Sequence, residues 1–254
     1  MNGRRGPIMS PGMARLVVII ALLVIWEVGA RLYADPLFLC PPSQAVVALP
    51  RIFSDPKIIH AIWVTIYEVF VAFVLSVSFG MTIGLIVGLQ GFTKKAILPV
   101  ILLLYSIPQA TVLPLFILSF GIGPAAKIAF GLSHGIFPVI VTTVGGVQNL
   151  RPSLLTAARS MGANRWQIFT SIVFPHMIPS FFTGMRLGMT LVLLGVLLAE
   201  LYVSIAGVGY YTVQYTQSFR PAKLFALVSV LAAMAILLNE IVRRAETHFS
   251  RWRG

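Results

Sequence analysis

Long apolar runs separated by short basic or proline-rich breaks dominate this chain. Six stretches reach the ~20 mainly apolar residues that a helix needs to cross a bilayer: about 16–33, 61–89, 96–120, 125–148, 177–203 and 222–242. None alternates apolar and polar positions, and each is far longer than the about 9–11 residues of a barrel strand. The pattern predicts an all-α, polytopic membrane protein with six transmembrane helices. Gly131, Gly135 and Pro138 interrupt the fourth run; such breakers are tolerated where neighbouring helices satisfy the freed backbone groups. Two breaks are long. One, about 34–60, carries Pro36, Pro41, Pro42, Pro50 and Pro56 and predicts a turn-rich piece with one short helix. The other covers about 149–175.

Composition excludes a soluble fold. The 254 residues are 58% hydrophobic and only 10% charged, against about 25% charged in an ordinary soluble domain. A globule of this length would need more polar surface than the chain supplies. The net charge of +12, from 19 Lys and Arg against 7 Asp and Glu, would suggest nucleic acid in a soluble domain. Here the basic residues lie between apolar runs, where they orient the chain in the bilayer instead. With both termini cytoplasmic, the inner side holds 12 of them: Arg4, Arg5, Arg15, Lys94, Lys95, Arg151, Arg159, Arg165, Arg243, Arg244, Arg251 and Arg253. The outer side holds six, namely Arg31, Arg51, Lys57, Lys127, Arg220 and Lys223, and Arg186 falls within a span. The positive-inside rule favours that orientation. It gives a cytoplasmic tail over 1–15, one transmembrane domain over 16–246 and a second cytoplasmic tail over 247–254. The basic start lacks a small-residue cleavage site and reads as the approach to an uncleaved first span. Cys40 is the single cysteine, so no intrachain disulfide or thiolate cluster is expected.

From Arg151 the predicted cytoplasmic segment reads RPSLLTAARSMGANRWQIFTSIVFPHMIP. Pro152 and Ser153 suit a helix start, with Leu154, Leu155, Ala158 and Met161 on one face. Gly162 can take the left-handed conformation that ends a helix and turns the chain. A second short helix would carry Trp166, Ile168 and Phe169 and stop before Pro175. Two short amphipathic helices with a tight elbow form a knob. It could fill a groove on a partner or merely pack beneath the membrane helices; chemistry alone supports both.

This stretch resembles the signature loop of binding-protein-dependent ABC importer permeases: Glu-Ala-Ala, three residues, Gly, nine residues, Ile, one residue, Leu-Pro. Ala157, Ala158, Gly162, Ile172 and Pro175 fall at matching positions, with Thr156 in place of Glu and Phe174 in place of Leu. Pro108, Pro114-Leu115, Gly121-Ile122-Gly123, Gly184-Met185-Arg186-Leu187, Glu200 and Gly207-Val208-Gly209 resemble the nitrate/sulfonate/taurine branch of the same family. The resemblance covers roughly residues 40–250. It implies a cytoplasmic coupling loop between helices 4 and 5, formed by Thr156, Ala157, Ala158, Gly162, Ala163, Asn164, Arg165, Ile172 and Pro175. That loop would dock on an ATP-binding subunit and transmit its closure to the membrane helices. The implied partners are this ATPase, an external solute-binding protein and a second permease copy, likewise in a bacterial inner membrane. No GxxxxGK[ST] phosphate loop occurs, so ATP and Mg belong to the partner and this chain is expected to bind no cofactor. The implied cargo is a small polar or anionic solute of the sulfonate, taurine, nitrate or vitamin-precursor kind.

Ionisable groups at membrane depth cost at least about 2.5–3.5 kcal/mol, so each needs a reason. Glu27, Glu68, Arg186, Glu200 and Glu240 are the candidates, with His134 beside them. Arg186 and Glu200 lie roughly 21 Å apart on one straight helix and cannot pair. Glu27 and Glu240 are close enough to span ends to snorkel. Tyr105, Ser106, Gln109, Thr111, Arg186 and Glu200 are candidate pathway residues, although interhelical hydrogen bonding explains such side chains equally well. Gly80, Gly84 and Gly88, four apart, suit close helix packing. His60, His134, His176 and His248 lack ligand spacing, and no nucleophile motif is present, so neither a metal site nor an enzyme is expected. The alternative function is a small channel or secondary transporter working without ATP; a filter loop, a charge ring or an internal repeat would mark one, and none is evident.

Overall fold

The computed structural model describes residues 10–33 and 35–249, and the described residues are helical, with no strand among them. They form two compact units: residues through Ile59 with Tyr211–Val230, and His60–Tyr210 with the residues from Leu231 onward.

The first unit opens with α1, Pro11–Leu32, whose start is fixed by Pro11 and by the Ser10 hydroxyl accepting from the Met13 amide. The predicted short helix follows as α2, Pro42–Phe53, which buries Ala45, Ala48 and Ile52 as a stripe along one face. Pro41 and Pro42 set its entry, and Ser54 ends it. The unit also holds the first residues of α3, Pro56–Leu89, most of α10, Val208–Gln217, and the start of α11, Pro221–Phe249. Trp26 of α1 lies against Phe225 of α11, with ring centroids 5.2 Å apart.

The second unit is organised by α6, Pro124–Gln148, and α9, Phe174–Tyr202, which pack along much of their length. Small residues allow this. A Cβ added at Gly135 would sit 2.2 Å from Val192 Cγ2, and one at Gly184 would sit 2.0 Å from Thr142 Oγ1. The glycines of α3 do the same against α6: Gly80 faces Val139, Gly84 faces Thr143 and Gly88 faces Val147. The interruptions anticipated in the fourth run are therefore packing surfaces, and the helix passes through them unbroken.

Five helices among the described residues are long and apolar enough to span a bilayer, six if one bent pair counts as a single span. That pair corrects the expectation of one run over about 96–120. Here α4, Gly91–Ser106, gives way at Ile107 and Pro108 to a 3₁₀ turn, Gln109–Val112, and then α5, Leu113–Phe120; the two halves are bent by 83°. Pro108 forces Ile107 into extended backbone, with ψ 131°.

The second helix of the loop also departs from expectation. It does not stop before Pro175. After α7, Pro152–Ser160, the short α8, Arg165–Ile168, runs through a π-helical turn, Phe169–Val173, directly into α9. The amide of Phe174 reaches back to the carbonyl of Phe169, a five-residue step that widens the turn just where Pro175 would break a regular ladder.

Candidate functional site

Two constellations stand out, both in the second unit. The first is the elbow. Helix α7 ends at Met161, and Gly162 adopts φ +79°, the left-handed turn expected of it. The Ala163 amide then donates to Ala158 O and the Gly162 amide to Arg159 O, closing the helix end. Helix α8 restarts with a capping box: the Gln167 amide donates to Asn164 Oδ1 at 2.8 Å, and the Asn164 amide donates to Gln167 Oε1 at 2.8 Å. This makes the elbow rigid despite its exposure. Met161 is 87% exposed, Trp166 71% and Leu154 47%, an apolar tip left uncovered by the described residues.

The root of the elbow is buried. Leu155, Ile168, Phe169 and Ile172 pack on Val147 and Leu150 at the end of α6, and on Val173 and Met177 at the start of α9. Of the residues expected in this loop, Thr156 bonds back to Pro152 O, at 3.2 Å. Ala157, Asn164 and Arg165 are exposed, and Ala158, Ala163, Ile172 and Pro175 are half-buried.

The second constellation is an ion cluster. Lys127, counted among the outer-loop charges from sequence, is in fact buried. It sits one turn inside α6, and its Nζ lies 2.6 Å from Glu68 Oε1 on α3; the two side chains are 4% and 0% exposed. The Glu68 carboxyl also lies beside that of Glu200, so two buried carboxyl groups share one lysine. Lys127 Nζ also donates to Ser204 Oγ at 3.2 Å and to Ala206 O at 3.1 Å. Glu200, at the end of α9, accepts from Thr65 Oγ1 at 2.7 Å and from the Gly209 amide at 2.7 Å. Thr65 in turn accepts from the Val208 amide at 2.9 Å. The segment 203–209 is thus clamped to α3, α6 and α9 by charged side chains. Gly207 is required there: its φ is +109°, and an added Cβ would lie 2.0 Å from Glu200 Oε1.

The expected pathway residues do not form one group. Gln109 and Ser133 pair across the bend, with Gln109 Nε2 donating to Ser133 O at 3.1 Å and Ser133 Oγ donating to Gln109 Oε1 at 3.2 Å. Tyr105 stacks on Phe137, Ser106 bonds back to Leu102 O, and Thr111 bonds to Pro108 O. Thr111 also lines a cavity of about 420 Å³ with Ala110, Leu113, Pro114, Ile117, Tyr202 and Val203. Arg186 instead pairs with Glu246 of α11, next to a Thr190–Asn239 hydrogen bond. Glu240 pairs with Arg243 and Arg244. Glu27 pairs with Arg31 and also accepts from the Ser43 amide and hydroxyl, so it is held rather than snorkelling freely. His134 Nδ1 lies 3.0 Å from Phe130 O, a helical neighbour. Among the described residues no three His, Cys, Asp or Glu side chains gather as a metal site.

The elbow, Glu68 and Glu200 are singled out in the sequence as needing a role, but Lys127 is placed among the outer charges, Thr65 is passed over, and Glu200 is a pathway candidate and not a member of this cluster. The available signal was a lysine three residues after the helix-opening Pro124, at the head of an apolar run that leaves it no water.

Residues 80–253 match the family model for the binding-protein-dependent transport system inner membrane component. The taurine transport system permease protein TauC of Escherichia coli (strain K12) is 28% identical over 240 residues, 92% of this chain and 87% of that protein. The putative aliphatic sulfonates transport permease protein SsuC of Bacillus subtilis (strain 168) is 27% identical over 243 residues, covering 95% and 88%. The formylaminopyrimidine transport permease protein ThiX of Halalkalibacterium halodurans is 26% identical over 232 residues, covering 91% and 92%. Among solved structures, an inward-facing form of the MetNI methionine ABC transporter aligns with a TM-score of 0.68 at 16% identity, over 79% of this chain and 98% of that one.

Proposed function

The chain belongs to the binding-protein-dependent transport system inner membrane components, and from that premise we propose what it carries and how its movement is driven. Membership makes it a multi-pass transport subunit of an ABC importer, working with an ATPase and a solute-binding protein. The cargo is a small polar or anionic solute of the sulfonate or taurine kind, or a vitamin precursor. The names of the three relatives span that range, and their identities of 26–28% do not separate one solute from another.

The observation that carries the mechanism is the elbow at Gly162. Its tip exposes Met161 and Trp166, while its root is bound into the ends of α6 and α9. A tip seated in the ATPase, on the cytoplasmic face with both termini, would pass the closure of that subunit straight to those two helices. A second copy of the chain would complete the path. Tyr105, Ser106, Gln109 and Thr111, on the bend, are the best-placed residues to line it. Arg186 and Glu200 are engaged with neighbours.

Affinity purification in mild detergent tests the docking. The wild-type chain should retain the ATPase, and Gly162→Pro or Ala158→Asp should lose it while the chain still elutes as a folded species. Retention in both variants overturns the reading. Competition of taurine, alkanesulfonates and pyrimidine vitamin precursors for uptake by the reconstituted importer then identifies the solute class.

A further inference from the structure

The first unit holds a groove that the transport reading does not use. It has a volume of about 460 Å³ and is lined by Arg31, Ser43, Gln44, Val47, Ala48, Arg51 and Ala222. Arg31 lies in the last turn of α1, and Ala222 is the second residue of α11. Both helices are long and apolar enough to span, so the groove lies where span helices end, at the level of lipid headgroups. Tyr33, just past the end of α1, is 88% exposed, as suits an interfacial tyrosine.

Helix α2 fits that level. Its 12 residues are too few to cross a bilayer. One face is buried through Ala45, Ala48 and Ile52, yet Val46, Val47 and Phe53 are 62%, 68% and 54% exposed. Exposed apolar residues on an amphipathic helix at the end of a span need acyl chains rather than water. Gln44 and Arg51, two helical turns apart, form the polar edge of the same helix beside Val47.

The charge of the groove is uneven. Arg31 is already neutralised: its Nε lies 2.6 Å from Glu27 Oε1, and its Nη2 donates to Ser43 Oγ at 3.1 Å. Glu27 is filled by Arg31 and Ser43. Arg51 makes no hydrogen bond or ion pair among the described residues. The groove therefore carries one uncompensated positive charge, on a guanidinium whose fork matches a phosphate.

We propose that this groove binds the headgroup of a monoanionic phospholipid, with Arg51 on its phosphate and Gln44 beside it. The acyl chains would lie over Val46, Val47 and the apolar side of α1. A zwitterionic lipid offers the same phosphate to Arg51 but brings its own cation, so the occupied groove keeps a net positive charge, and the groove distinguishes the two by charge balance.

The test uses the full chain, with whatever subunits co-purify, exchanged into mixed micelles of phosphatidylglycerol or phosphatidylcholine. Retained lipid is counted by native mass spectrometry and thermal stability is followed in parallel. Wild type should retain phosphatidylglycerol about five-fold better than phosphatidylcholine, the worth of one cation at a membrane surface. Arg51→Gln and Gln44→Glu should each bring that ratio close to one, and Lys57→Gln, a neighbouring exposed cation, should leave it unchanged. Equal retention of both lipids by wild type, or a ratio that survives in Arg51→Gln and Gln44→Glu, overturns the proposal. Inorganic phosphate displacing phosphatidylglycerol at millimolar concentration would also overturn it, because the groove would then be a small-anion site. Should Arg51→Gln fail to fold, the wild-type ratio and Gln44→Glu decide.

Discussion

Replacing Gly207 by Ala strikes the clamp at its tightest point. The residue holds φ +109°, and the new methyl would lie 2.0 Å from Glu200 Oε1 and 2.3 Å from Glu200 Cδ. Two costs follow. Holding a side-chain-bearing residue in that backbone region costs about 1–3 kcal/mol. Relieving the contact requires the Glu200 carboxylate to swing away from Thr65 and the Gly209 amide, bonds of 2.7 Å each. Hydrogen bonds to a charged group are worth about 1.5–3 kcal/mol apiece. If one of the two is lost, the whole penalty is about 2.5–6 kcal/mol, roughly half of it backbone strain.

A mutant cycle separates the parts. In a Glu200→Ala background the obstructing carboxylate is gone, so Gly207→Ala should cost only the backbone share. In Glu200→Gln the obstruction remains, so the cost should stay near its value in wild type. Reversible unfolding in mixed detergent micelles, followed by circular dichroism, measures each corner. Equal costs of Gly207→Ala in wild type and in Glu200→Ala, within about 0.5 kcal/mol, would show that the Glu200 carboxylate is not the obstruction. If the cost disappears in Glu200→Gln, the charge of the carboxylate governs the contact and its size does not.

Removing one member of the buried pair should be harsher than removing both. Lys127→Met leaves Glu68 and the neighbouring Glu200 without their shared cation, at about 3–5 kcal/mol, and adding Glu68→Leu should recover part of that in the same unfolding assay. At the crossing of α6 and α9, Gly184→Ala should destabilise by about 1–3 kcal/mol through overpacking against Thr142 Oγ1. Thr142→Ala should relieve it, and an undiminished penalty in the double variant would show that the contact is not the cause. Burial pushes the Cys40 thiol up from its ordinary range, so less thiolate is present at neutral pH. Maleimide should label the native chain slowly at pH 7, faster as pH rises, and fully only after denaturation. Rapid labelling of native protein at pH 7 would refute the buried placement.

The apolar runs were legible because spanning a bilayer depends on length and composition, which a single sequence displays. The elbow was legible because a glycine between two short amphipathic segments has few other uses. The capping box of Asn164 and Gln167 that stiffens it went unread, although the two residues stand at the right spacing. The bend was hidden because α4 and α5 are equally apolar on either side of Pro108, and hydropathy does not report direction. Passage through Pro175 was hidden for a different reason: a π turn has no composition of its own, and proline near a helix start is ordinary. The pairing of Lys127 with Glu68 was the least legible. Each residue announced a need for a partner, but which partner depends on how α3 crosses α6. That crossing is set by Gly80, Gly84 and Gly88 meeting Val139, Thr143 and Val147, one face of packing that fixes a polar contact further along.

The same packing limits which parts of the second unit can move. Helix α9 is about 43 Å long at the usual helical rise; the elbow is rooted at one end, and the Glu200 clamp lies at the other. Between these ends, α6 is pressed against it at distances that leave no room for a methyl group at Gly135 or Gly184. Helices in such contact cannot slide past one another without first separating, so a displacement imposed at the elbow should carry α6, α9 and the clamped segment 203–209 as one body. The freedom has to lie elsewhere, and the 83° bend at Ile107–Pro108 is, among the described residues, the one break in regular helix within a predicted span. Its polar connection to α6 is the half-buried pair Gln109–Ser133, two hydrogen bonds beyond 3.0 Å, beside the stacking of Tyr105 on Phe137. A disulfide engineered between α6 and α9 should leave transport intact, whereas one tying the bend to α6 should stop it.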